Sequence, residues 1–153
     1  MKEIKLSLSI DEAKLLYNGA SQKRKKELEE FFPELKPVSI IDRVKTYEDA
    51  LEVLGRNHFN ETNLYPREIA RRKLEIIIEA LNEGWKPNLS NHQEYKWYCY
   101  FYRSASGLGY STSTYAPTYA NAYVGVRFCL KSKELADYIG NNFKNLYEIM
   151  LLG

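Results

Sequence analysis

The sequence predicts an α+β protein: a small antiparallel sheet with helices packed on one of its faces. Helical stretches with 3.6-residue apolar periodicity occupy much of residues 11–82 and then 133–151. Two segments rich in aromatic and β-branched residues, YKWYCYFYR at 95–103 and YANAYVGVRFCLK at 119–131, read as strands. At 153 residues, 44% apolar and 27% charged, the chain suits one domain, 1–153, with its own core, and no repeat or polar linker divides it. That composition excludes a disordered chain, a collagen-like repeat and a disulfide scaffold.

In KEIKLSLSI, Ile4, Leu6, Leu8 and Ile10 alternate with polar residues, the period of a half-buried strand. Ser9 and Glu12 then have capping-box spacing, so a short helix follows with Ala13, Leu15 and Leu16 inward. Ser21 caps a second helix, which Pro33 ends. Its basic run, Lys23 to Lys26, is followed at once by Glu27, Glu29 and Glu30, and reads as a solvated, ion-paired face. Residues 34–45, with Pro37 and the apolar run Val38–Ile41, form a connector or a brief strand. Thr46 and Asp49 open a helix through Leu54, and Gly55 caps it. After a polar loop at 56–64, Pro66 starts the clearest helix, with Ile69, Leu74, Ile77, Ile78 and Leu81 as its apolar stripe. Arg67, Arg71 and Arg72 on it stand within pairing distance of Glu68 and Glu75, and read as solvated surface. Gly84, Trp85 and Pro87 turn the chain into the two aromatic strands. Between these lies SASGLGYSTSTYAPT, a long loop in an antiparallel hairpin. Ser132 caps one last helix over 133–151, with Leu135, Ile139, Phe143, Leu146 and Met150 inward.

Net charge is +2, too balanced to imply nucleic acid or a membrane. Its distribution is uneven. Residues 1–88 carry 16 basic and 16 acidic side chains, whereas Tyr95 to Lys133 holds no Asp or Glu but contains Lys96, Arg103, Arg127, Lys131 and Lys133. MKEIKLSLSIDEAK carries no signal-peptide apolar run and no stretch is long enough to span a bilayer. Two cysteines do not make a secreted framework. A reducing cytoplasm is the expected location.

A two-residue period places Trp97, Cys99 and Phe101 on one face of the first strand and Lys96, Tyr98, Tyr100 and Tyr102 on the other. On the second strand it places Ala122, Val124, Val126, Phe128 and Leu130 inward and Asn121, Tyr123, Gly125, Arg127 and Cys129 outward. The cysteines then lie on opposite faces, which argues against a disulfide. Eight of the 13 tyrosines fall between Tyr95 and Tyr123. Aromatic planes stack on bases and arginine forks hold phosphates. The expected ligand site is therefore Tyr98, Tyr100, Tyr102 and Tyr123 as platform, Lys96, Arg103 and Arg127 as charge, and Tyr110, Tyr115 and Tyr119 closing from the loop. Glycines between Ser104 and Gly109 would let backbone N–H groups approach a phosphate. The same tyrosines also suit a second core, a subunit interface or docking on a protein.

No catalytic or metal constellation is present. His58 and His92 sit in polar loops without partners at metal spacing, Cys99 is inward, and no G-x-S-x-G, H-E-x-x-H, Walker or dinucleotide motif occurs.

The succession IIDRVKTYEDALEVLG, LNEGWKPNLSNHQEYKWYCYFY and FCLKSKELADYIGNNF resembles small proteins carried by phages and mobile elements of gut anaerobes, a group without an established activity. A tryptophan turn at Trp85, the hairpin of 95–130 and the Ser132-Lys133-Glu134-Leu135 helix start carry the likeness, over about residues 39–150. The resemblance implies a phage-type setting in which ligand-sequestering and host-interacting proteins are common.

The expectation is thus a non-enzymatic cytoplasmic protein, without cofactor or metal, that binds or sequesters an anionic, nucleotide-like small molecule through the Tyr/Arg hairpin face. It is expected to be a homo-oligomer. The alternatives are docking on a host or virion protein and single-stranded nucleic-acid binding.

Overall fold

Residues 8–91, 93–116 and 125–153 are described by a computed structural model. Among them are seven α-helices and one two-stranded antiparallel sheet, the α+β class that the sequence predicts. Contacts along the chain group into two compact units, Met1–Ser39 and Ile40–Gly153, although the sequence shows no dividing linker.

The first unit is a helical pair. Helix α1 (Ile10–Gly19) starts at the Ser9/Glu12 capping box: the Ser9 hydroxyl accepts from Glu12 N and the Glu12 carboxylate accepts from Ser9 N at 2.8 Å. Helix α2 (Gln22–Phe31) is capped by Ser21. Ala13, Leu28 and Leu35 are its buried centre, with Ile10, Tyr17 and Phe32 packed around them. The expected strand lies mostly outside the described residues, and Ile10 belongs to the helix because the cap at Ser9 takes it. Leu15 and Leu16 are not inward; they are 76% and 51% exposed. Ile10, Ala13 and Tyr17, spaced i, i+3, i+7, form the inward stripe instead, Ala13 buried and the other two half-buried, and Leu15 and Leu16 fall off it.

In the second unit, residues 40–43 are helical rather than a strand. Helix α3 (Ile40–Arg43) buries Ile40 and Val44 one turn apart. Helix α4 (Tyr47–Leu54) has the Thr46/Asp49 box, and Gly55 closes it at φ 61°. Helix α5 (Pro66–Leu81) runs through the core, burying Leu74, Ile77, Ile78 and Leu81. Each such side chain is worth about 1.5–3 kcal/mol of transfer free energy.

Strand β1 (Lys96–Ser104) is where the sequence puts it, but its partner is not 119–131. The partner is β2 (Gly107–Ala116), drawn from the expected long loop. Ser104 pairs with Gly107, so Ala105 and Ser106 alone make the turn. The Ser104 hydroxyl donates to Gly107 O at 3.0 Å, and Gly107 takes φ 113°. The register slips between Tyr100 and Phe101: Tyr100 faces Thr112 and Phe101 faces Tyr110, leaving Ser111 as a bulge. The bulge brings Tyr110 and Ser113, three residues apart, to the same inner face as Phe101 and Cys99.

Residues 117–124, most of the first half of the expected second strand, lie outside the described residues. Of the rest, Val126–Phe128 is a 3-10 turn and only Leu130 pairs like a strand, exchanging both backbone bonds with Trp97 at 2.9 and 3.1 Å. The buried Asn82 amide holds the flanking groups: its Nδ2 donates to Cys129 O and its Oδ1 accepts from Lys131 N, both at 3.0 Å. Cys129 is therefore buried, not outward, and both cysteines are free and shielded.

The expected last helix is two. Helix α6 (Lys133–Asn142), capped by Ser132, and helix α7 (Lys144–Leu152) break at Phe143, with φ −117° and ψ 23°. Gly140, Asn141 and Asn142 are weak helix formers, and the break lets Ile139, Phe143 and Tyr147 all be buried. Trp97, Cys99 and Phe101 of the hairpin pack on this core.

Candidate functional site

The ten residues expected at one ligand site go to several places. Tyr98, Tyr100 and Tyr102 do share the outer face of β1, beside Thr112 and Thr114 of β2, with Tyr100 and Tyr102 more than half exposed. The Tyr102 ring covers Gly109, where a Cβ would collide with it. Gly109 thus serves aromatic cover rather than a phosphate, and Gly107 serves the turn. Arg103 is exposed near the hairpin tip, across from Leu108. Tyr115 joins Tyr95 and Trp97 in an aromatic cluster at the hairpin base, with ring centroids 4.5 and 5.5 Å away. Tyr119 and Tyr123 lie outside the described residues.

Three of the expected site residues are elsewhere. Lys96 is fully buried; its ammonium donates to Asn91 O and Glu94 O at 3.2 Å and pairs with the Glu94 carboxylate at 3.3 Å. A buried ammonium needs such acceptors, and these fasten the loop before β1. Tyr110 turns inward. Its ring fills the space over Gly140, and its hydroxyl bonds Ser113 at 2.8 Å and the Asp137 carboxylate. Burial, and then the Asp137 bond, push the Tyr110 hydroxyl up to about 12. Arg127 leaves the hairpin altogether and stands over α5, 3.8 Å from Glu75.

The carboxylate-free stretch is not free of carboxylates in space. Glu94 answers Lys96, Glu83 answers Lys131 at 2.6 Å, Asp137 answers Lys133 at 2.6 Å, and Glu148 accepts from Leu108 N at 3.1 Å. The tyrosine face is consequently aromatic and hydroxylic, not cationic.

Positive charge collects instead in a groove on α5. Arg71, Arg72, Glu75, Ile76 and Glu79 point to one side of the helix, Arg56 reaches over from the loop after α4, and Arg127 from the turn before Leu130. With Phe59 they line about 450 Å³. Four guanidinium groups face two carboxylates. Glu79 is taken by a two-pronged bond from Arg56, at 2.7 Å on both oxygens. Glu75 is divided between Arg71 at 3.3 Å and Arg127. Arg72 lies over the Phe59 ring, 5.7 Å from its centroid. Two guanidinium charges are left without a carboxylate of their own among the described residues.

A second groove, of about 460 Å³, lies beside it; it shares Glu75, Glu79 and Arg127 and is lined further by Ile78, Trp85, Pro87 and Val126 with Asn82 and Lys86. Trp85 arrives there because Glu83 and Gly84 both take positive φ, 49° and 81°, folding the chain back after α5. Trp85 N closes the turn on Asn82 O at 2.9 Å.

Cys99 and Cys129 offer no nucleophile to this region: burial pushes both thiols up to about 11, and their Sγ atoms bond Ala136 O and Val126 O. Among the described residues no helix is long and apolar enough to cross a membrane. Arg71 and Arg72 are exposed and Arg71 pairs with Glu75, as the sequence predicts; the sequence puts Arg127 on the hairpin, and only the fold of the 125–131 segment onto α5 brings it to them. No family model matches the chain, and neither the curated proteins nor the solved structures contain a match.

Proposed function

We propose that this chain is a non-enzymatic, cytoplasmic binding protein that captures and sequesters an anionic small molecule in the arginine groove of α5. The observation that carries this reading is the guanidinium excess. Arg56, Arg71, Arg72 and Arg127 line one groove with, among the described residues, two carboxylates beside them, Glu75 and Glu79. A bound anion completes the pairing for Arg72 and Arg127, and a planar guanidinium is the side chain best shaped for a phosphate or carboxylate. A volume of about 450 Å³ suits a small ligand. The two shielded thiols fit a binding role better than a covalent mechanism. Anion capture thereby moves from the hairpin to α5.

Thermal unfolding against inorganic pyrophosphate, nucleotides and ADP-ribose-type compounds tests the reading. A ligand at 100 times its Kd adds about 2.7 kcal/mol, several degrees for a domain of this size. The shift is expected with the wild type and not with Arg72→Ala/Arg127→Ala. No shift with any anion contradicts it.

A second reading, docking on a protein, is favoured by a different observation: Tyr95, Tyr100, Tyr102 and Tyr115 of the hairpin segment are all more than 40% exposed. Tyrosine gives large contact area at low entropy cost, which suits such a surface. Single-stranded nucleic acid on the same face loses support, because Lys96 is buried and Arg127 is at α5.

A further inference from the structure

We infer that the ligand is a nucleoside phosphate that binds across both grooves, its phosphate on the arginines and its base along Trp85; this rests on the anion-capture reading above.

The two grooves are adjacent, sharing Glu75, Glu79 and Arg127 along their border, but chemically unlike. The first is guanidinium-rich, with Arg71, Arg72 and Arg127 at hand. The second sets Ile78, Trp85, Pro87 and Val126 beside Asn82 and Lys86, and its lining is more apolar than that of the first. Arg127 borders both, together with Glu75 and Glu79, so it stands at the junction of a charged compartment and a more apolar one. A bare anion uses the first compartment and leaves the second solvated. A molecule with a phosphate at one end and a flat ring at the other uses both, the ring against the indole of Trp85.

The positions of these walls are fixed rather than accidental. The left-handed residues Glu83 and Gly84 set Trp85 beside α5, and Lys131 holds Glu83 at 2.6 Å. Asn82 pins Cys129 and Lys131, and so positions the turn that carries Val126 and Arg127. Val126 and the guanidinium at the junction are therefore anchored to the same buried amide. Preorganisation of this kind reduces the ordering cost of binding.

Calorimetric titration of the whole protein with inorganic phosphate and with the four nucleoside 5′-monophosphates tests the inference. At least one nucleotide is expected to bind tenfold or more tightly than phosphate, as one base on an aromatic platform provides. Trp85→Ala should remove that advantage while phosphate binding stays as in the wild type, and Trp85→Phe should restore most of it. Equal binding of phosphate and every nucleotide by the wild type overturns the inference and leaves the anion groove standing. So does equal loss of both ligands in Trp85→Ala. If neither phosphate nor any nucleotide binds, the groove reading falls, and this inference with it. The wild-type comparison of nucleotide with phosphate decides the matter even if Trp85→Ala does not fold.

Discussion

The guanidinium of Arg127 stands 3.8 Å from the carboxylate of Glu75, which already pairs with Arg71 at 3.3 Å. One glutamate is thus shared by two arginines, and Arg127, with 78% of its side chain exposed, holds it loosely. Exposed ion pairs of this kind contribute little to stability. Arg127→Ala should therefore leave the urea midpoint within about 0.5 kcal/mol of wild type while weakening pyrophosphate binding about tenfold or more, the effect of losing a charge-assisted bond. Equilibrium unfolding and calorimetry on one preparation separate the two effects.

Asn82 is the opposite case, a polar side chain whose worth is structural. It is 5% exposed and uses both ends of its amide on Cys129 O and Lys131 N. Asn82→Ala leaves two buried backbone groups unsatisfied and should cost about 2–4 kcal/mol. Asn82→Asp keeps the acceptor for Lys131 N but loses the donor to Cys129 O and adds a buried charge, so it should be no better. Urea melts of both variants check this; a loss under about 0.5 kcal/mol would mean that the 129–131 segment is held by other contacts.

Gly109 and Gly140 make a matched pair. A Cβ at either meets a tyrosine ring, that of Tyr102 and of Tyr110 respectively. Tyr102 is exposed and can swing aside, whereas Tyr110 is held by Asp137 and Ser113. Gly140→Ala should cost about 1–3 kcal/mol through overpacking, and Gly109→Ala distinctly less. Thermal melts of the two variants should rank them in that order.

Alkaline pH should destabilise the fold before it affects the surface. Burial raises Cys99 and Cys129 to about 11 and Tyr110 to about 12, from ordinary values near 9 and 10. A group whose folded value is raised keeps its proton in the fold, so its contribution is complete below the unfolded value and is lost as pH climbs to the folded one. Stability should fall steadily between about pH 9 and 12, and native thiols should react slowly with a disulfide reagent at pH 8. Urea midpoints at pH 8, 10 and 11 and a timed thiol assay measure both. A flat pH profile would show that these groups are solvated.

Local signals in the chain are legible where chemistry acts over one turn. The Ser9/Glu12 and Thr46/Asp49 boxes, Pro66, Gly55 and the Ser132 cap all set helix ends as expected. Strand β2 is not legible in the sequence because Gly107, Gly109 and the Ser/Thr run carry loop composition. Yet Thr112, Thr114 and Tyr115 are good strand residues once Tyr102 covers Gly109. Strand alternation gave Tyr100 and Tyr102 their exposure but failed at Lys96, whose ammonium finds three acceptors in its own preceding loop. The place of Arg127 has a longer-range cause. Asn82, 47 residues before Cys129, decides where that segment lies, and no periodicity records such a contact.

The measurement that tests anion capture most directly is calorimetric titration of inorganic pyrophosphate into the wild type and into Arg72→Ala/Arg127→Ala, at physiological salt and with matched urea midpoints. Saturable binding by the wild type, weakened about a hundredfold or more in the double variant, is the predicted result. No binding by the wild type, or equal binding by both proteins, would contradict the assignment of the α5 groove as the anion site.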